Sequence, residues 1–313
     1  MKSTSVPLFP RRITLEFTNH CNLRCVFCPR RFMEKETGFL DVGLARELMA
    51  QMRDNRAGTP VTVVPFFRGE SLTHPHWDTL LAELHAFGLG PIQMATNASL
   101  LTEARAHRLL DIGVDTLSFS MDTLNPETYR HLRGADYAES LGNVLRFLKL
   151  RSTQSGNLDG QHGRGGCGTV QVSAVRTAEN AHEMDAFVAF WQTKVDRIRI
   201  YPEHSADGKL GSLETVQATG MAERRTACPK VMEDMVIYWN GDVALCNHDW
   251  TRRLIGPHLG SVRTQSIEQV WTGPAYAAVR EAHAMGSLTG VSPCEHCGHW
   301  QGTPVGDIYT GQK

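Results

Sequence analysis

Between Ile13 and Ile200, short β-branched runs alternate with longer stretches of helical apolar period, and this alternation constrains the fold more than any other feature. The runs predict strands over Ile13–Thr18, Val61–Phe67, Ile92–Ala95, Val114–Ser120, Val170–Arg176 and Arg197–Tyr201. Helices are expected over Leu40–Asn55, Trp77–Phe87, Thr102–Ile112, Pro126–Leu132, Tyr137–Arg151 and Glu179–Gln192, with Thr102 placed to cap its helix. Strands joined by helix-length connections pair in parallel through right-handed crossovers, so these units should curl into a barrel or partial barrel. At 313 residues and 41% hydrophobic composition, the chain can bury one such domain and a small second one. The expected class is α/β, with a partial (β/α)6 barrel over 1–208 and a small α+β domain over 209–313.

The pattern changes after about Lys209. MVIYWNGDVALC, Met235–Cys246, predicts two short strands around Asn240-Gly241, a type I′ hairpin signal. Ser266–Ala284 predicts a helix, and PCEHCGHW closes the segment. Ser152–Gly168, rich in Gly, Ser and Asn, predicts a loop. A formal net charge of -1 leaves no electrostatic footprint for nucleic acid or an anionic membrane. No apolar stretch approaches membrane-spanning length, and MKSTSVPLFPRR lacks a signal core. A cytoplasmic protein with neither nucleic-acid nor membrane partners is expected.

The 8 cysteines are clustered: Cys21, Cys25 and Cys28 near the start, Cys228, Cys246, Cys294 and Cys297 near the end, and Cys167 alone. In a reducing compartment such clusters argue for metal over disulfides. Thiolate sulfur suits zinc or iron-sulfur, and a closed structural site takes four protein ligands. The C-x3-C-x2-C pattern supplies only three, and neighbouring His20 would need an awkward local geometry to be the fourth. Three thiolates on a four-iron cubane leave one iron open to a substrate or cofactor, which is the logic of a reactive cluster. In the later group, C-x2-C with His248, His296 and His299 also admits zinc, although a zinc ribbon has a cysteine pair on both sides. Cys167 precedes a strand, so it should lie on the N-terminal, stability face of a barrel as an ordinary cysteine rather than a hydrogen donor.

C-x3-C-x2-C at the end of a first barrel strand, with aromatic Phe27 just before the third cysteine, resembles the radical S-adenosylmethionine (SAM) superfamily, over Arg12 to about Tyr201. FFRGES resembles that family's glycine-glycine-glutamate motif, with Arg68 in place of the first glycine and Gly69 and Glu70 retained. The resemblance implies that this turn and carboxylate hold the methionyl amino group. ATNAS, with Asn97, resembles the third-strand element, and SFSMD resembles the fourth-strand segment whose serine, here Ser120, reaches the ribose or carboxylate. The fifth-strand stretch VQVSAVRTAEN offers Ser173, Arg176 and Asn180. The implied chemistry is chelation of the open iron by SAM, reductive cleavage of the sulfonium and hydrogen abstraction by a 5′-deoxyadenosyl radical.

The order Cys228, hairpin, Cys246, helix, Cys294-x2-Cys297 resembles the twitch domain, a shortened SPASM domain, and implies a second, auxiliary 4Fe-4S cluster held by all four cysteines. A fully ligated cluster points to electron transfer and a net redox change, with a reducing donor such as flavodoxin or ferredoxin as partner. The layout resembles radical dehydrogenases acting on aminocyclitols in aminoglycoside antibiotic biosynthesis. The expected function is therefore oxidation of a secondary alcohol of a small-molecule aminocyclitol or sugar. A radical epimerase, dehydratase or decarboxylase is the alternative. A peptide- or protein-modifying maturase ranks lower, because such relatives usually carry full SPASM domains and often an N-terminal leader-binding domain, for which a first strand at Ile13 leaves no room. A zinc-binding module without activity ranks lowest. Strand ends line the site in a barrel, so Glu16, Arg176, Tyr201, Glu203 and His204 are the candidate catalytic or substrate-contacting residues.

Overall fold

The computed structural model describes residues 6–33, 36–55, 58, 60–155, 166–203, 227–250, 259–292, 294–297 and 307–312. The barrel strands are β1 (Arg12–Leu15), β2 (Thr62–Val64), β3 (Gln93–Thr96), β4 (Val114–Ser120), β5 (Cys167–Arg176) and β6 (Arg197–Pro202). All pair in parallel in chain order, with a single Val63–Ile92 bridge joining β2 to β3. Their outer face carries α1 (Val42–Arg53), α2 (Trp77–Ala86), α3 (Glu103–Ile112), α4 (Pro126–Arg133), α5 (Tyr137–Ser155) and α6 (Met184–Gln192).

Strand periodicity explains the layering. Met94, Leu117, Phe119, Val172, Ile198 and Ile200 alternate along their strands and enter one continuous core with buried helix residues such as Leu48, Leu84, Phe147 and Trp191. Each fully buried aliphatic or aromatic side chain stabilises by about 1.5–3 kcal/mol relative to exposure. Side-chain caps open α1, α3 and α4: Thr102 accepts from the Arg105 N–H as expected, Asp41 accepts from the Leu44 N–H at 2.9 Å and starts α1 at Val42 rather than Leu40, and Asn125 accepts from Glu127 and Thr128 with Pro126 at the first helical position. Gly134, left-handed at φ 67°, stops α4.

The C-terminal segment extends both edges of this sheet system. Helix α7 (Pro229–Glu233) feeds β7 (Asp234–Ile237), which pairs in parallel with β1, and β8 (Val243–Ala244) pairs antiparallel with β7. At the other edge β9 (Asp307–Thr310) pairs antiparallel with β6.

Three expectations change. The single helix expected over Ser266–Ala284 is two, α8 (Ile267–Trp271) and α9 (Pro274–Met285). Pro274 cannot continue a helix, and a Cβ on Gly273 would stand 2.8 Å from the Gln269 carbonyl oxygen. The turn between β7 and β8 is not type I′, because Asn240 keeps negative φ and only Gly241 is positive at 90°. The Gly241 N–H bonds the Tyr238 carbonyl and the Tyr238 N–H bonds the Asp242 carbonyl, which makes a three-residue loop closed by the glycine. Strand β5 begins at Cys167 rather than Val170, because Val114 pairs with Cys167 and extends the ladder downward.

Candidate cluster and cofactor site

The loop after β1 and the turn after β2 are packed too closely for any side chain between them. A Cβ on Gly69 would lie 2.3 Å from the Thr18 carbonyl oxygen and 2.5 Å from that of His20, both backbone atoms that cannot give way. The Glu70 N–H then donates to the His20 carbonyl at 2.9 Å, locking the turn against the residue before Cys21. Here only glycine fits.

A cavity of 480 Å³ opens above these loops at the C-terminal ends of β1 to β4. Cys21, Cys25 and Cys28 all line it, together with every residue expected to bind the cofactor: Phe27, Gly69, Glu70, Asn97 and Ser120. Burial pushes the thiols up, Cys25 to about 12 and Cys28 to about 11, and each lies within electrostatic reach of the others. Among the described residues no group of three or more His, Cys, Asp or Glu side chains is gathered tightly enough to hold a single metal ion. Cysteines on separate irons of a cubane need no such convergence, and the three thiols that line this cavity fit the three-ligand set of such a cluster.

The cavity's charge complements an anionic occupant. Arg24, Arg30 and Arg31 line it against one carboxylate, Glu70, and Arg68 and Arg133 line it as well, each already paired with a buried carboxylate, Glu16 and Asp122. Arg133, 5% exposed, donates to Asp122, stands 5.8 Å over the Phe27 ring and lies within electrostatic reach of the Cys25 thiol. Asp122 adopts a left-handed φ of 60°, held there by Val175 N–H on its carboxylate and Asn180 on its carbonyl. A buried cation beside three thiols favours their ionised, metal-binding form. Sequence reasoning missed Arg133; its position immediately before the α4 stop offered no chemical signature.

Glu70 is 3% exposed and braces the site as well as lining it. Its carboxylate accepts from the Asn97 N–H at 2.7 Å, the Thr96 hydroxyl at 3.0 Å and the Leu72 N–H at 3.2 Å. Desolvation raises its pKa while these donors oppose the shift. Asn97 in turn bonds Asn22 and Ser99, so the ends of β1, β2 and β3 form one polar network.

The five candidate catalytic residues are dispersed. Glu16 faces no open space: it is fully buried, its carboxylate held by Arg68 at 2.8 and 2.9 Å and also accepting from the Trp239 N–H at 3.2 Å. A cation two residues before Glu70 captured it, and this corrects the expectation that Glu16 is available to a substrate. Arg176 also departs from expectation, pairing with Asp307 at 2.8 Å on the exposed β6–β9 edge. Tyr201 is half-buried on the barrel-facing side of β6, with the Arg199 guanidinium 4.6 Å from its ring. Glu203 is buried beyond the end of β6. His204 lies outside the described residues.

In the C-terminal segment Cys246, Cys294 and Cys297 fall within electrostatic reach of one another, and burial holds the Cys246 thiol well above its ordinary value. The His248 N–H donates to the Cys246 sulfur, and His283 Nε2 lies 3.4 Å from the Cys294 sulfur. Cys228, at the head of α7, is buried in the same apolar core as Cys294. His283 was not anticipated, since one histidine in a helix carries no pattern. The His299 considered for zinc and the His296 side chain lie outside the described residues. Arg68 ties the two regions together: it donates to the Trp250 carbonyl and sits 3.7 Å over the Tyr238 ring.

Comparison with known proteins agrees with this geometry. The Radical SAM superfamily pattern matches residues 15–164, and the SPASM iron-sulfur cluster-binding domain matches residues 228–309. The tungsten-containing aldehyde ferredoxin oxidoreductase cofactor-modifying protein of Pyrococcus furiosus is 23% identical, covering 85% of this chain and 82% of its own. Among solved structures, Streptococcus suis SuiB bound to precursor peptide SuiA superposes with TM-score 0.66 at 16% identity, covering 89% of this chain and 68% of SuiB. BtrN in complex with AdoMet and 2-DOIA superposes with TM-score 0.54 at 18% identity, covering 90% of each chain. With its three-cysteine cavity, its Gly69-Glu70 turn and its second cysteine group each falling inside the matching regions, the chain carries a radical SAM domain over residues 15–164 and a C-terminal SPASM domain over residues 228–309.

Proposed function

We propose that the protein oxidises a secondary alcohol of a small polar metabolite of the aminocyclitol or sugar type, by radical abstraction of hydrogen from the carbinol carbon. Cys21, Cys25 and Cys28 would hold the radical-generating cluster and Cys228, Cys246, Cys294 and Cys297 the auxiliary one. When bound, the clusters and SAM supply a hydrogen-abstracting radical and an acceptor for the electron released on oxidation.

The chain's own share is positional. Gly69 lets two loops close up, and Glu70, Asn97 and Ser120 present polar groups on one wall of the cavity. Arg133, over the Phe27 ring and paired with Asp122, would supply fixed positive charge near Cys25, and Phe27 would add an apolar surface beside Cys28. Tyr201 and Glu203 are the candidates for holding the reacting hydroxyl.

The observation that carries the redox reading is the second buried cysteine group, linked to the first site through Arg68. Cys167 supports it from the other side. Epimerisation needs a hydrogen donor beside the substrate, and Cys167 sits at the opposite, N-terminal end of β5. An external one-electron reductant such as flavodoxin or ferredoxin completes the proposal.

The test is iron and sulfide content of anaerobically reconstituted protein beside a variant with Cys21, Cys25 and Cys28 all changed to alanine, followed by product analysis on candidate cyclitols. About eight irons falling to about four, with a product lighter by two hydrogens, is expected. About four irons falling to none would remove the electron acceptor and overturn the redox reading. A product of unchanged mass carrying solvent deuterium would identify an epimerase instead.

A further inference from the structure

The interior of the barrel is not packed as barrels usually are. In closed (β/α)8 barrels the inward face is filled by Val, Ile and Leu. Here Leu117 and Phe119 of β4, Val170, Val172 and Ala174 of β5, and Ile198 and Ile200 of β6 point outward into the helix layer, which leaves Ser118, Ser120, Gln171, Ser173, Arg197 and Arg199 on the inward face, flanked by Val114 and Val175. Gln171 donates to Ser118 at 2.8 Å, and Ser118 donates to Ser173 at 3.3 Å, so the wall is polar and internally ordered.

Register places this wall beside the cofactor cavity. Ser120, which lines the cavity, pairs with Ser173, and Ser173 pairs with Arg199; one row below, Ser118 pairs with Gln171 and Gln171 with Arg197. Two strand spacings separate Ser120 from Arg199, about 10 Å, which is the scale of one small metabolite.

The charge on this wall is unbalanced. Arg12 on β1 projects from the facing side, donates to Gln93 at 2.7 Å, and lies within electrostatic reach of Arg199 and Tyr201. The acids nearby are already engaged: Glu16 by Arg68, Asp234 by Lys230 at 3.0 Å while facing Arg12 in the β1–β7 ladder, and Glu203 by a contact of its own. The Nε atoms of both Arg197 and Arg199 are buried without a hydrogen-bond partner. Buried guanidinium N–H groups left unpaired are costly, and an anionic ligand is the partner that would satisfy them.

We propose that this wall binds the substrate and that the substrate carries a carboxylate or phosphate gripped by Arg197 and Arg199, with Arg12 reinforcing the field. The inference rests on the reading of a small polar substrate and narrows it, favouring acidic or phosphorylated cyclitols and sugars over those whose only charge is an amine.

Titration calorimetry on the reconstituted holoenzyme with SAM tests it, using glucose, glucosamine, glucuronate, glucose 6-phosphate and inorganic phosphate as probes. At least one anion should bind about tenfold or more tightly than glucose and glucosamine. Glucuronate against glucose 6-phosphate then separates carboxylate from phosphate. R197Q and R199Q should each lose that advantage about tenfold, and the wild-type preference should shrink with added salt while iron content and visible absorbance stay unchanged. Glucose or glucosamine binding as tightly as the best anion, anion binding that survives both substitutions, or binding of no probe at all would overturn the proposal. An anion preference without oxidised product would instead sink the alcohol-oxidation reading and leave this one standing.

Discussion

Removing the Arg68 charge should cost more stability than any surface change in this chain, and its cost should depend on whether Glu16 is still there. Both side chains have zero solvent exposure and meet through two hydrogen bonds at 2.8 and 2.9 Å. Losing one partner of such a pair strands the other charge, at about 3–5 kcal/mol. At about 2–4 °C per kcal/mol for chains approaching this size, Arg68→Met should lower Tm by roughly 6–20 °C. Glu16→Gln should also destabilise, because it replaces the buried carboxylate that accepts two guanidinium hydrogen bonds with a neutral amide. The double variant E16Q/R68M should recover part of the loss, with a coupling of about 1.5–3 kcal/mol. Differential scanning calorimetry under anaerobic conditions at matched iron content measures all four proteins, since bound groups themselves shift Tm. A drop below about 3 °C for Arg68→Met, or two single effects that simply add, would refute the view that this pair anchors the turn to the C-terminal segment.

Two further outcomes follow from local geometry. Gly69→Ala should weaken SAM binding by more than about tenfold in equilibrium titration, because the new Cβ would collide with two carbonyl oxygens and push Glu70 off the cavity wall; unchanged affinity would show that the tight loop crossing does not shape the cofactor site. Cys167, raised to about 12 by burial, is deprotonated in about one molecule in ten thousand at pH 8, so iodoacetamide should leave it unlabelled in the folded protein while alkylating it in urea. Its reactivity should rise only as pH climbs towards that value, and rapid labelling at pH 8 followed by mass spectrometry would contradict its placement.

The layered barrel was legible because alternation of short strands and amphipathic helices leaves few other ways to bury both faces of a parallel sheet. The cysteine spacing and the Gly69-Glu70 pair were legible for a different reason: their chemistry is local, and a loop of eight residues carries Cys21, Cys25 and Cys28 into one cavity wherever the strand ends. Long-range partners were not legible. Glu16 reads as a strand-end carboxylate until folding brings Arg68, 52 positions away, onto it. Arg133 reads as an ordinary helix-end cation until α4 brings it onto Asp122 and within electrostatic reach of Cys25. The break at Pro274 was visible as a residue type, yet the apolar period ran through it and the local signal lost to the periodic one.

What the sequence determined by itself was the set of groups able to ligate iron and the order of elements that carry them, since both are encoded within a few residues of chain. Packing then settled which charges neutralise one another and which remain for a ligand. Glu16, Arg68, Asp122 and Arg133 neutralise in pairs, whereas Arg197 and Arg199 reach the barrel interior with buried Nε groups unpaired. The physical reason is that electrostatic pairing depends on separation in space through a low-dielectric interior, and separation along the chain says almost nothing about it.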